Sequence, residues 1–268
     1  MDYALRGARS VAHFRHEGPL RILQSLYPEG DAICHNVLVH PPGGLVGGDR
    51  LDLMVKVGAG AHGLLTTPGA SRFYRSLGEE ALQHTRLELA EGARLEWLPM
   101  EALCYSGCLA ENRLQMQLAP GAELLGWDIT ALGLPQSDQP FVAGRFRQHI
   151  ELPGIWLERA EIDAQDHRLL ASPLGLAGHK CLATLFFATG QPLARDRREA
   201  ALDLTRHLLQ DHALAASAGV TSPNGQVVAL RVLAPLVEPA MQLLKAVWQG
   251  WRGHFWGLAA PHPRTWAL

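Results

Sequence analysis

The segment "CHNVLVH" carries Cys34, His35 and His40, one thiol and two imidazoles within seven residues. Such donors suit nickel, copper or zinc. On an extended chain Cys34, Leu38 and His40 share one face and His35 takes the other. A closed structural metal site takes four ligands at compact spacing. Cys34, His35 and His40 are therefore weak metal candidates, fitted at most to a passing contact. "CYSGC" sets Cys104 and Cys108 at a C-x3-C spacing without a second pair, which reads as two free core thiols. "HPPGGLVGGD" follows at residues 40–49. A phosphate cradle would need G-K-[ST] and a helix after it, and the strand-like "RLDLMVKV" stands there instead. The segment reads as a stiff corner. Pro41 and Pro42 fix an extended entry, and Gly43, Gly44, Gly47 and Gly48 permit sharp turns. Its chemistry is left to the polar ends, His40 and Asp49.

Further along, "TTPGASRFYRS" brings Arg72, Tyr74, Arg75 and Ser76 together, and Arg and Tyr are side chains that protein interfaces favour. "GAGAHG" at residues 58–63 has the spacing of a dinucleotide fingerprint. "LLTTPG" follows it in place of a helix, so a hairpin turn explains its glycines better. There is no G-x-S-x-G elbow, no H-E-x-x-H, and no pair of carboxylates marked out for acid–base work. The order of residues favours binding over catalysis.

The elements that must carry these residues repeat. "VKVGAGAHGLL", "LELAEGARLEW", "MQLAPGAELLGW" and "IELPGIWLE" each place a glycine between two apolar runs. Gly60, Gly92, Gly121 and Gly154 supply positive φ for tight turns, and the flanks alternate with period two, as half-buried strands do. A period near 30 residues is one supersecondary unit restated and stacked on itself. The reading is a mainly β protein. Stacked antiparallel strands form a β-helix-like or sandwich body over residues 1–195. Residues 196–268 make a helix–hairpin–helix tail packed on that body. In the tail, Asp196 and Glu199 have capping-box spacing, Ala201, Leu204 and Leu208 form a helical stripe, and Asn224-Gly225 marks a hairpin turn. Pro239 opens a second helix, with Met241, Leu244, Val247, Trp248 and Trp251 on one face.

Bulk properties exclude several classes. A net charge of −2 over 268 residues gives no pull toward nucleic acid or an anionic membrane. The longest apolar run, "LATLFFA", is far too short to span a bilayer, and "MDYALRGARSVAHF" has no signal-peptide core. Four cysteines at this length make no disulfide framework, which points to reduced thiols in a cytoplasm.

"HEGPLRILQSLYPEGD", "CHNVLVHPPGGLVGGDRLDL", "AHGLLTTPGASRFYRS", "LEWLPMEALCYSGC" and "GWDITALGLP" occur in that order. Together they resemble the urease accessory protein UreD family, also called UreH, from about residue 15 through "WLERAEI". The resemblance implies a non-enzymatic maturation factor built from a helix-like stack of strands and two helices. Such a factor binds apo-urease on one side and UreF on the other, and UreF recruits the GTPase UreG. Nickel then reaches the urease site past weak, exchangeable ligands, with no cofactor held tightly. The positions that match the family's motifs, and are implied to line a metal path or a partner surface, are His40, Asp49, Arg75, Ser76, Asp128 and Glu158. The chain departs from the pattern at Leu134, Gln139 and Met100. A short segment before "GARSVAHF" implies a late start or a missing edge strand. The rival reading is a stacked-β polysaccharide hydrolase or lyase, which requires carboxylates along an open groove.

Overall fold

The computed structural model describes residues 1–267. The chain opens with a hairpin of β1 (Asp2–Arg6) and β2 (Arg9–His13). An antiparallel pair follows, β3 (Arg21–Leu26) and β4 (Ile33–Val39). The chain then winds in coils of three strands. Short β5 (Gly44–Leu45) and long β6 (Arg50–Val57) complete the coil that β4 begins. The second coil is β7 (His62–Thr66), β8 (Ser71–Phe73) and β9 (Ala81–Leu89). The third is β10 (Arg94–Leu98), β11 (Ala102–Cys104) and β12 (Cys108–Leu118). A last coil joins β13 (Glu123–Leu132) to β14 (Gly144–Leu152), and β15 (Trp156–Asp163) turns back on β14.

Equivalent strands of successive coils stack in parallel. β4, β7, β10 and β13 form one face, and β6, β9, β12 and β14 form the opposite one. β5, β8, β11 and the end of β13 make a short third face. The mainly β, β-helix-like body is as expected, but its stacked strands are parallel, not antiparallel. The physical reason lies in the corners. Gly60, Gly92 and Gly121 do take positive φ, at 68°, 64° and 75°. Each joins a strand of one sheet to a strand of the other, and Ala61, Ala93 and Ala122 stack beneath them, buried, from coil to coil. The next coil, rather than the preceding strand, supplies the pairing: Arg94 N–H donates to Ala61 O (2.9 Å) and Glu123 N–H to Ala93 O (2.9 Å). Only the fourth repeat, at Gly154, is a true hairpin, pairing Leu152 with Trp156. The segment before "GARSVAHF" holds β1, which pairs antiparallel with β2 and parallel with β6.

The remaining strands continue the first sheet antiparallel, in the order β13, β16 (Cys181–Thr189), β18 (Val227–Ala234), β17 (Ala218–Asn224). Three α-helices follow the coils. A short α1 (His167–Ala171) is capped by Asp166, whose Oδ1 accepts from Leu169 N–H at 2.9 Å, and the sequence pattern had not marked it. α2 (Arg195–Leu209) starts one residue ahead of the expected cap. Ala194 stands at the cap position with no side-chain bond, and Asp196 lies within the first turn, so the capping box does not form. Its inner face is Ala201, Leu202, Thr205 and Leu209, and Leu208 of the expected stripe is 37% exposed. The Trp251 indole decides that face by donating to Thr205 Oγ1 at 2.7 Å. α3 (Val237–Trp256) buries all five residues of its predicted stripe. Both long helices cover the outer side of the β13–β16–β18 sheet, where Trp127, Leu185 and Leu230 meet Leu244, Val247 and Trp248. The interior between the sheets is a second core, with Val55, Leu87, Leu95, Met116, Leu124 and Ile150. No helix among the described residues is long and apolar enough to cross a membrane.

Candidate functional site

The structure separates the motif residues into two groups. Asp49, Arg75 and Ser76 stand on one corner ridge, where the loops after β5, β8 and β11 stack. Asp49 is exposed, and its Oδ2 accepts from Val46 N–H at 2.9 Å across the turn. Ser76 Oγ donates to the Glu79 carbonyl and accepts from Gly78 N–H (3.0 Å), while Ser76 N–H donates to Gly107 O (3.0 Å). Arg75 is exposed, with its stem lying on Gly107. The glycine corner closes in a turn: Gly43 N–H donates to His40 O across the two prolines at 2.8 Å. Gly47 has no space for a side chain, since a Cβ there would lie 2.7 Å from Glu79 O and against Ser76 Oγ.

Asp128 and Glu158 belong to a different feature, a row of polar side chains inside the β-body, and His40 lines the cavity that leads to it. Strand register builds it. On one sheet Gln83 pairs with Asn112 and Asn112 with Gln148. On the other Asp128 pairs with Thr184 and Thr184 with Arg231. The two rows face each other and bond across the interior. Gln83 Nε2 donates to Asn112 Oδ1 (3.3 Å), Asn112 Nδ2 to Asp128 Oδ2 (2.7 Å) and Gln148 Nε2 to Asp128 Oδ1 (2.6 Å). Thr184 Oγ1 donates to Glu158 Oε1 at 2.9 Å, and Arg231 Nε to Glu158 Oε2 at 2.9 Å.

Asp128 is the centre of this row and only 6% exposed. Burial pushes its carboxyl up to about 6; the Gln148 bond opposes the rise and the charge of Glu158 adds to it. A cavity of about 240 Å³ leads to it, lined by His40, Gly43 and Arg72, and further in by Gln83, Asn112 and Asp128. Exposed Pro68 and Gly69 mark its mouth. Burial lowers the pKa of the half-buried His40, and the charge of Asp49 acts the other way. At neutral pH the cavity therefore offers a neutral imidazole near its mouth, two amide oxygens, and a carboxylate at its end. Side chains of these types can each give a divalent cation a single oxygen or nitrogen contact.

Cys34 and His35 are not part of it. Cys34 is fully buried, with Sγ 3.6 Å from Asn36 Oδ1, and His35 Nε2 contacts Glu29 Oε1 at 2.9 Å. Neither approaches His40 as a co-ligand. Among the described residues, no group of three His, Cys, Asp or Glu side chains is placed to hold a metal ion. The sequence reading missed Gln83, Asn112, Gln148, Thr184 and Arg231. One signal was present. Gln83 stands nine residues before Gly92 and Asn112 nine before Gly121, the same place in successive repeats.

Comparison with known proteins shows the family. The model of the UreD urease accessory protein family matches residues 1–267. Urease accessory protein UreD of Polaromonas sp. (strain JS666) is 67% identical over 268 residues, 100% of this chain and 97% of that protein. The UreD of Variovorax paradoxus (strain S110) is 67% identical over 267 residues, with the same coverage. That of Methylibium petroleiphilum is 53% identical over 273 residues, covering 96% of this chain and 92% of its own length. The chain belongs to the UreD urease accessory protein family.

Proposed function

We propose that this protein acts in urease maturation without catalysing a reaction. It binds apo-urease and UreF, through which the GTPase UreG is recruited, and nickel passes along its interior as cargo. The observation that carries this reading is the cavity that runs from His40 to the buried Asp128. Asn112 and Gln148 turn N–H groups toward that carboxylate, and Gln83 donates to the Asn112 amide oxygen, so amide groups and one acid lie side by side. A cation that must move on needs such weak single contacts, because a closed four-ligand site would hold it. The corner ridge with Asp49, Arg75 and Ser76 is solvent-facing and suits a partner surface. A cytoplasmic site of action accords with four unpaired, buried cysteines. The polysaccharide-cleaving alternative draws no support from Asp128 and Glu158, which bond to side chains of the interior instead of facing an open groove.

The test is Asp128→Ala in a urease activation assay with UreF and UreG at limiting nickel. Activation is expected to fall about tenfold while the variant still assembles with its partners. Wild-type activation by a normally folded variant overturns the nickel-route reading.

A further inference from the structure

The polar row is open at one end and shut at the other. On the His40 side the cavity reaches Asp128. Beyond Asp128 the side chains close up: Thr184 Oγ1 is bonded to Glu158, and Arg231 holds the same carboxylate through Nε (2.9 Å) and Nη2 (2.6 Å). Arg231 Nη1 also donates to Thr221 Oγ1 at 3.1 Å, on the edge strand β17. The side chain of Glu158 is 19% exposed and that of Arg231 is 42% exposed. Arg231 is thus the last member of the row and its contact with solvent.

A cation moving outward from Asp128 meets Glu158 next, and finds that carboxylate already occupied by a cation. Arginine has particular properties as that occupant. Its charge is permanent, so no ordinary pH change removes it, and its planar fork fits a carboxylate edge. The guanidinium is 42% exposed, so solvent can replace the carboxylate as its partner when the side chain moves outward. The charges also balance. Asp128 and Glu158 ionised carry −2; with Arg231 in place the row carries −1, and without it the row matches one divalent ion.

We propose that Arg231 is the gate of this route: its guanidinium occupies Glu158 at rest, and a divalent cation passes Glu158 only when Arg231 swings off that carboxylate into solvent. The inference rests on the nickel-route reading above. It assigns Arg231 a positioning role, distinct from merely tying the edges of two sheets together.

Equilibrium dialysis of nickel(II) against the full chain at pH 7.5, alongside thermal unfolding, tests it. Arg231→Gln is expected to bind nickel about tenfold more tightly than wild type, equivalent to about 1.4 kcal/mol. The double variant Glu158→Gln/Arg231→Gln is expected to return to the wild-type affinity. A structural tie alone predicts a lowered Tm and no gain in affinity, and that result overturns the gate. Arg231→Lys keeps the charge and loses the fork. Should the glutamine variant not fold, a gain of a few-fold in Arg231→Lys supports the gate and no gain overturns it. The two readings fail separately. Wild-type activation by Asp128→Ala removes the route and the gate with it. Reduced activation by Asp128→Ala, with nickel affinity unchanged in the Arg231 variants, removes the gate alone.

Discussion

The Arg252 guanidinium lies 3.1 Å from the Glu96 carboxylate, and neither side chain has any exposure. They are 156 residues apart, one on α3 and one on β10. Arg252 also grips Glu29 through Nη1 and Nη2, at 2.7 and 2.8 Å. Glu96 further accepts from the Trp248 indole (2.8 Å) and contacts His62 (3.1 Å). Burial drives the Glu96 carboxyl up, but His62, Arg252 and Trp248 outweigh it and hold it below the usual carboxylate value. α3 is therefore fastened to the coils by a satisfied polar cluster as well as by its apolar stripe.

Arg252→Met removes the only full cation facing two acids in that cluster. Breaking a buried pair from one side costs about 3–5 kcal/mol, because the surviving charge is left uncompensated. Urea unfolding of the variant is expected to show a loss of that size. A loss below about 1 kcal/mol would mean that the apolar face of α3 alone secures it.

Asp128 gives the fold a pH dependence of known sign. Its folded pKa, about 6, lies above the ordinary aspartate value of 3.8. The native state therefore holds this proton more tightly, and stability from the group is full below about pH 4 and declines as pH rises through 6. Asp128→Asn is expected to flatten the wild-type stability curve between pH 4 and 6 by roughly 2–3 kcal/mol. Chemical denaturation of both proteins at several pH values measures it. Parallel curves would mean that the carboxyl titrates as an ordinary exposed acid.

The corner ridge separates backbone from chemistry. Gly47→Ala forces a Cβ to 2.7 Å from Glu79 O, and such overpacking costs about 1–3 kcal/mol. Asp49→Ala loses one solvent-facing hydrogen bond, worth about 1 kcal/mol. Its urease activation is nonetheless expected to drop by more than that small loss of folding explains. Activation assays paired with thermal unfolding compare the two variants. Full activation by a folded Asp49→Ala protein would confine that aspartate to holding its turn.

The repeat, the corners and the apolar faces were legible in residue order alone. Gly60, Gly92, Gly121 and Gly154 had to turn, and Met241 through Trp251 had to be buried, because backbone freedom and hydrophobic periodicity are local properties. The ordered motifs also carried the family. Which strand each turn delivers to was not local. A positive-φ glycine serves a hairpin and a coil corner equally well, and packing between coils chose parallel stacking for three of the four repeats. The polar row needed that choice. Gln83, Asn112 and Gln148 read as ordinary polar positions of alternating strands until parallel register set them side by side opposite Asp128. Arg231 and Arg252 gave no signal at all, because a charged residue in a strand or a helix is usually solvated. Their acids come from strands 73 and 156 residues away, so only the assembled body could pair them.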